Sequence, residues 1–171
     1  MGNEGFAFQR MNRKDRRWAG WILAAGFVWM VFGLVMAPPF VGEGLRHVIM
    51  LGFSEICHQI PGRSPHIQGV QLAACDRCFG MYAALAAAPF LALSLRPWNS
   101  WIQRRAKHLV LAGLIVLATD WGSDIVGLWT NTPWSRALTG VVFGCVAGYF
   151  LVCAIISLMD RPSGRQRMAK D

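Results

Sequence analysis

"WAGWILAAGFVWMVFGLVMA", residues 18–37, runs for twenty positions without a charge. A helix rises about 1.5 Å per residue, so this length matches the roughly 30 Å hydrocarbon core of a bilayer. Three further stretches read the same way. They are "FGMYAALAAAPFLALSL" at 79–95, with Pro89 expected to kink it, "HLVLAGLIVLATDWGSDIVGL" at 108–128, and "ALTGVVFGCVAGYFLVCAIISLM" at 137–159. Composition agrees: 15% of the residues are charged and 54% apolar, against about 25% charged in soluble domains. The expected fold class is an all-α membrane protein, a four-transmembrane-helix bundle forming one membrane domain over residues 18–159.

The basic segment before residue 18 and the sequence Val35-Met36-Ala37 also fit a secretory signal. The apolar run is longer than an ordinary signal core, and Pro38 and Pro39 follow at once, so we read an uncleaved anchor. The formal charge of +8 would suggest nucleic acid in a soluble chain, but here the cations flank the apolar runs and no aromatics interleave with them. That arrangement excludes a nucleic-acid footprint and makes the lipid bilayer the expected partner.

The cations also set the expected orientation. Thirteen of the seventeen fall in the tail 1–17, between spans two and three, or in the tail 160–171. Arg46, Arg63, Arg77 and Arg136 are left for the opposite side. By the positive-inside rule both termini are cytoplasmic, the location is the plasma membrane, and the loop 38–78 faces out. Within that loop Leu45, Val48, Ile49, Gly52 and Ile56 recur at helical spacing. The segment is too short to span, and a fifth span would force basic segments outside, so a helix lying in the interface is expected.

The loop ends in "CHQIPGRSPHIQGVQLAACDRC", residues 57–78, which holds three of the five cysteines. Cysteines outside the cell usually pair, and three is an odd number. Cys75 and Cys78 have the Cys-x-x-Cys spacing that lets two thiolates converge on one ion. Cys57 and His58 would complete a tetrahedral set for zinc or another transition metal, with His66 as the substitute. The same residues suit a membrane thiol–disulfide oxidoreductase, since Cys75 and Cys78 open a span whose helix N-terminus stabilises a thiolate. They suit a structural disulfide as well. All three readings stand at this point.

Two motifs carry a resemblance. "CHQ-x-P-x-RS" is formed by Cys57, His58, Gln59, Pro61, Arg63 and Ser64, and "C-x-R-C-x-G-x-Y" by Cys75, Arg77, Cys78, Gly80 and Tyr82. Together with Asp120, Arg136, Thr139 and Gly140 they resemble a family of small prokaryotic membrane proteins of unknown function, over roughly residues 45–150. The resemblance implies a shared fold and site, and it favours His58 over His66 as ligand, but it supplies no reaction.

Asp120 falls about 18 Å along the third span from His108, near mid-bilayer, with Asp124 one turn further on the same face. Ionisable groups at such depth are functional candidates or internal partners of arginine. Arg63, Arg77 and Arg136 share their side of the membrane. Guanidinium forks bind carboxylates and phosphates, so the set suggests metal-assisted chemistry on an anionic lipid head group or small anion. Arg63, Arg136 and Asp120 are the catalytic candidates, with Ser64 and Arg77 in binding roles. The opposing reading pairs each arginine with Asp76, Asp120 or Asp124. A scaffold or transporter subunit is a further alternative. Gly140, Gly144 and Gly148 form a small-residue stripe for a close helix contact, within the bundle or with a second copy. Cys145 and Cys153 read as small buried fillers, His47 and His108 as headgroup contacts. Trp18, Trp98, Trp101, Trp129 and Trp134 read as interfacial belts.

Overall fold

In the computed structural model, which describes residues 12–128 and 130–160, the four apolar stretches are four helices long and apolar enough to cross a membrane. Most of both basic tails, and Trp129, lie outside the described residues. The chain runs α1 (Arg13–Met36), an interfacial α2 (Glu43–Ser54), α3 (Asp76–Ser94), a short α4 (Asn99–Arg104), α5 (Ala106–Ile125) and α6 (Pro133–Asp160). α1, α3, α5 and α6 alternate in direction. One end of the bundle therefore carries the Cys motif (the motif end), and the other carries the basic segments (the basic end).

Several boundaries differ from hydropathy for local reasons. α3 starts at Asp76 and α6 at Pro133, because polar first turns are good helix starters that a hydropathy reading discards. Before α6, the backbone N–H of Ser135 donates to Thr132 Oγ1 and that of Thr132 to Ser135 Oγ, at 3.2 and 3.1 Å. This reciprocal exchange works as a capping box, and Pro133 takes the first helical position. α5 stops at Ile125 and not at residue 128. Gly127 takes a left-handed φ of 70°, with Leu128 N–H donating to the Ser123 carbonyl and Gly127 N–H to that of Asp124. That pairing is a Schellman terminus. α3 runs on through Pro89, whose carbonyl accepts a hydrogen bond from Trp21 Nε1 at 2.9 Å, tying α1 to α3.

The densest packing is between α3 and α6, with α1 against both and α5 chiefly against α6. The glycine stripe explains this. A Cβ on Gly140 would run into the Arg77 carbonyl and one on Gly80 into the Ala137 carbonyl, while at Gly144 it would meet the Met81 carbonyl at 2.6 Å. The two backbones touch. Gly140, Gly144 and Gly148 are buried against α3 of the same chain, so the stripe serves the close contact within the bundle.

α2 buries Ile49 and Phe53 and leaves Leu45, Val48 and Leu51 exposed, as a helix lying along an interface does. After it the chain forms a small antiparallel hairpin, β1 (His66–Ile67) with β2 (Val70–Gln71). Its two turn residues, Gln68 and Gly69, both have positive φ, the pattern of a tight type I′ hairpin turn. Val35, Ile49, Phe53, Cys57, Ala73 and Ala74 form an apolar core at the motif end.

Candidate functional site

The site begins with the start of α3. Cys75 is the N-cap residue and its carbonyl accepts the Phe79 N–H at 2.7 Å. N-cap and third-residue side chains face each other across the first turn, the geometry that capping boxes exploit. The Cys-x-x-Cys spacing therefore places the Cys75 and Cys78 thiols together. Cys57 arrives from the end of α2, where its N–H is held by the Phe53 carbonyl at 2.9 Å. The three Sγ atoms lie within 4.8 Å of one another. Cys57 is buried, and its sulfur accepts the backbone N–H of Cys75 at 3.2 Å. Hydrogen bonding with the Cys75 thiol first, then that of Cys78, holds the Cys57 thiol well below its ordinary pKa, against the burial that raises it. Phe79 and Tyr82 pack on the same cluster, with the Tyr82 ring edge-on to Phe53 at 5.8 Å.

His58 does not join the sulfurs. It is exposed, as is His66, and the group of mutually close ligand atoms among the described residues contains neither. The expected fourth ligand is thus not among the residues brought together. Just beyond the pair, Gln59 takes a left-handed φ of 48° and turns the chain. Gln59 carries a role the sequence reading missed. Its Nε2 donates to the Met50 and Ala73 carbonyls, both at 2.9 Å, while its own carbonyl accepts Gln71 Nε2 at 2.6 Å. The loop is pinned to α2 on one side and to the hairpin on the other. Ser64 belongs to the same scaffold: it is buried, donating to the Ile60 carbonyl at 2.8 Å and accepting from Gln71 at 3.2 Å. The place of Gln59 in the first motif was the signal available for it.

Each arginine of the set faces one aspartate. Arg77 pairs with Asp120, Arg136 with Asp76 at 3.9 Å, and Arg63 with Asp124 at 3.4 Å. The Arg77 and Asp120 side chains are only 19% and 9% exposed, whereas Arg63 is 52% exposed at the rim. Asp120 Oδ2 also accepts from Thr139 Oγ1 at 3.2 Å, and Asn131 Nδ2 donates to the Asp120 backbone carbonyl at 2.8 Å. Asp120 is five residues from the end of α5, about 7.5 Å by helical rise, and so nearer the motif end than the sequence suggested. The pairs join α3 to α5, α6 to α3 and the loop to α5.

A stretch of 100 residues is 29% identical to an "Uncharacterized protein" of Methanocaldococcus jannaschii, covering 58% of this chain and 64% of the archaeal one. The chain thus spans less than two thirds of that relative's length. No solved structure matches. Residues 57–150 match the family model described as "Predicted membrane protein (DUF2085)". That segment opens on Cys57 itself and takes in the thiol cluster, the three arginine–aspartate pairs and the glycine crossing, and by it the chain belongs to the DUF2085 family of predicted membrane proteins.

Proposed function

We propose that this multi-pass membrane protein carries, on its extracytoplasmic face, a three-thiolate site for a transition metal, zinc by preference, with a fourth coordination position left to water or an anionic substrate. The observation that carries the reading is the convergence of three Sγ atoms within 4.8 Å at the start of α3. Zinc–sulfur bonds of about 2.3 Å at tetrahedral angles put sulfurs roughly 3.8 Å apart, so the cluster closes on an ion with side-chain adjustment alone. Three protein ligands plus one open position is the arrangement of catalytic zinc, whereas structural sites use four. The outward orientation rests on the positive-inside rule, since the basic segments all lie at the opposite end. In this reading rim-exposed Arg63 meets the anionic group. Asp120, held by Arg77 and Thr139, orients the site or takes a proton, and Arg136 fixes Asp76 at the start of α3.

The test is elemental analysis of detergent-purified protein. About one zinc per chain in the wild type, lost in Cys75→Ser and kept in His58→Ala, is the expected result. Absence of metal in wild type purified without chelator overturns it. A second reading, thiol–disulfide exchange, is favoured by the low pKa of Cys57 beside a Cys-x-x-Cys pair at a helix N-terminus. It predicts metal-free protein in which one disulfide forms and exchanges with an added dithiol.

A further inference from the structure

One cavity of the described residues lies away from the cysteines. It lies at the basic end, between the start of α1, the end of α3, α4 and the last turns of α6, with a volume of about 750 Å³. Small-molecule and lipid sites fall in the range of roughly 300–1,000 Å³. Lys14, Arg17 and Arg96 line it, and no carboxylate of the described residues does: Asp15 and Asp160, on the same helices, are not among its lining residues. Trp18 and Trp21 form one wall at the level where indole rings settle at the headgroups. The rest of the lining is mixed: Asn99 and Gln103 of α4 offer amides, while Leu93 and Phe150 offer apolar wall. Asn99 is fixed in place, since its Oδ1 accepts the Tyr149 hydroxyl at 2.8 Å and Gln103 Nε2 at 3.4 Å. Its Nδ2 has no protein partner among the described residues.

A cavity whose lining combines cations, amide donors and apolar side chains matches an amphiphile with an anionic head. We propose that it binds the phosphate headgroup of an anionic phospholipid, one acyl chain lying against Leu93 and Phe150. Basic pockets between membrane helices recognise phospholipid heads in this way, each nearby lysine or arginine strengthening binding several-fold. The site is separate from the cysteines and stands whether or not those bind metal.

The experiment titrates the full chain in detergent with short-chain phosphatidylglycerol and, in parallel, phosphatidylcholine, read by native mass spectrometry. One phosphatidylglycerol per chain, saturating at least about tenfold below phosphatidylcholine, is expected. Arg17→Gln/Arg96→Gln removes two lining charges, for a loss of about thirty-fold. Arg104→Gln/Lys107→Gln removes the same charge from outside the cavity and shifts binding less than about threefold. Equal binding of the two lipids, or equal loss in the two double variants, overturns the site in favour of a diffuse basic surface. Competition by millimolar inorganic phosphate overturns the lipid assignment in favour of a soluble phosphoryl compound.

Discussion

Replacing Asp120 by Asn should loosen α5 more than any other single-residue change of that size in the bundle. α5 is the least enclosed span, packed chiefly on α6, and its polar ties to the rest run through Asp120 and Asp124. The substitution keeps the shape and removes the charge. It leaves the Arg77 guanidinium, 19% exposed and with its Nε already buried without a partner among the described residues, facing a neutral amide. Removing one member of a buried pair costs about 3–5 kcal/mol in soluble proteins. Membrane references are softer because the separated helices find other partners. We expect about 3 kcal/mol for Asp120→Asn and a similar loss for Arg77→Gln. Thr139→Val, which removes only a hydroxyl donor to the same carboxylate, should cost about 1 kcal/mol. The double variant Arg77→Met/Asp120→Leu removes both charges and should recover to within about 1 kcal/mol of wild type. The assay is equilibrium unfolding in mixed micelles with rising dodecyl sulfate, followed by tryptophan fluorescence. A coupling energy below about 0.5 kcal/mol between positions 77 and 120 would refute the reasoning. Zinc content of the double variant then separates the roles of the carboxylate. Metal retained there marks the pair as a clasp of the bundle, and metal lost marks it as part of the proposed metal site.

Gly140→Ala forces the α3 and α6 backbones apart at the Arg77 carbonyl and should cost about 1–3 kcal/mol in the same assay, whereas Gly26→Ala, with open space around it, should change stability by less than about 0.5 kcal/mol. Gln59→Ala removes both side-chain ties from the loop to α2 and Ala73, and zinc should then be lost to a chelator about tenfold more readily, as a competition titration would register. In the proposed site protons would compete with the ion for the thiolates, so lowering the pH from 7 to 5 should release zinc progressively and raising it again should restore occupancy; occupancy flat across that window argues against thiolate ligation.

The spans were legible because a bilayer asks only for about 20 apolar residues in a row, a property of composition that no tertiary contact can mask. Their ends were less so. Asp76 and the Thr132–Ser135 capping exchange are polar, and a hydropathy reading assigns polar residues to loops even where they start helices. The Cys-x-x-Cys geometry was readable from spacing, since N-cap and third residue share one turn, but the exclusion of His58 was not. The path of the loop after His58 rests on the left-handed Gln59 and its contacts 9 and 14 residues away, which spacing alone does not reveal. The arginine–aspartate pairing was open for the same reason. Sequence put three cations and three acids at one end, and only the packing of α3, α5, α6 and the loop decides which carboxylate each guanidinium reaches.

That crossing ties the sulfur cluster to the bundle. Gly140 lies directly on the Arg77 carbonyl, between Cys75 and Cys78 in the same helical turn, and Arg77 reaches over to Asp120 on α5. Asp76, the neighbouring residue, is held by Arg136 from the first turn of α6. The turn that presents two of the three thiols is therefore fixed on one side by backbone contact and on two others by ion pairs. A thiol cluster on a free loop would need an ion to order it. Here α6 and α5 already hold that turn, so binding of the proposed metal would carry a lower ordering cost. The consequence is directional: variants that part α3 from α6 should weaken metal binding, while loss of the metal should leave the α3–α6 contact in place. Disulfide trapping between cysteines introduced at Ala88 and Val152, which share one buried cluster, reads that contact, and a cross-link that forms only in zinc-loaded protein would reverse the order of cause.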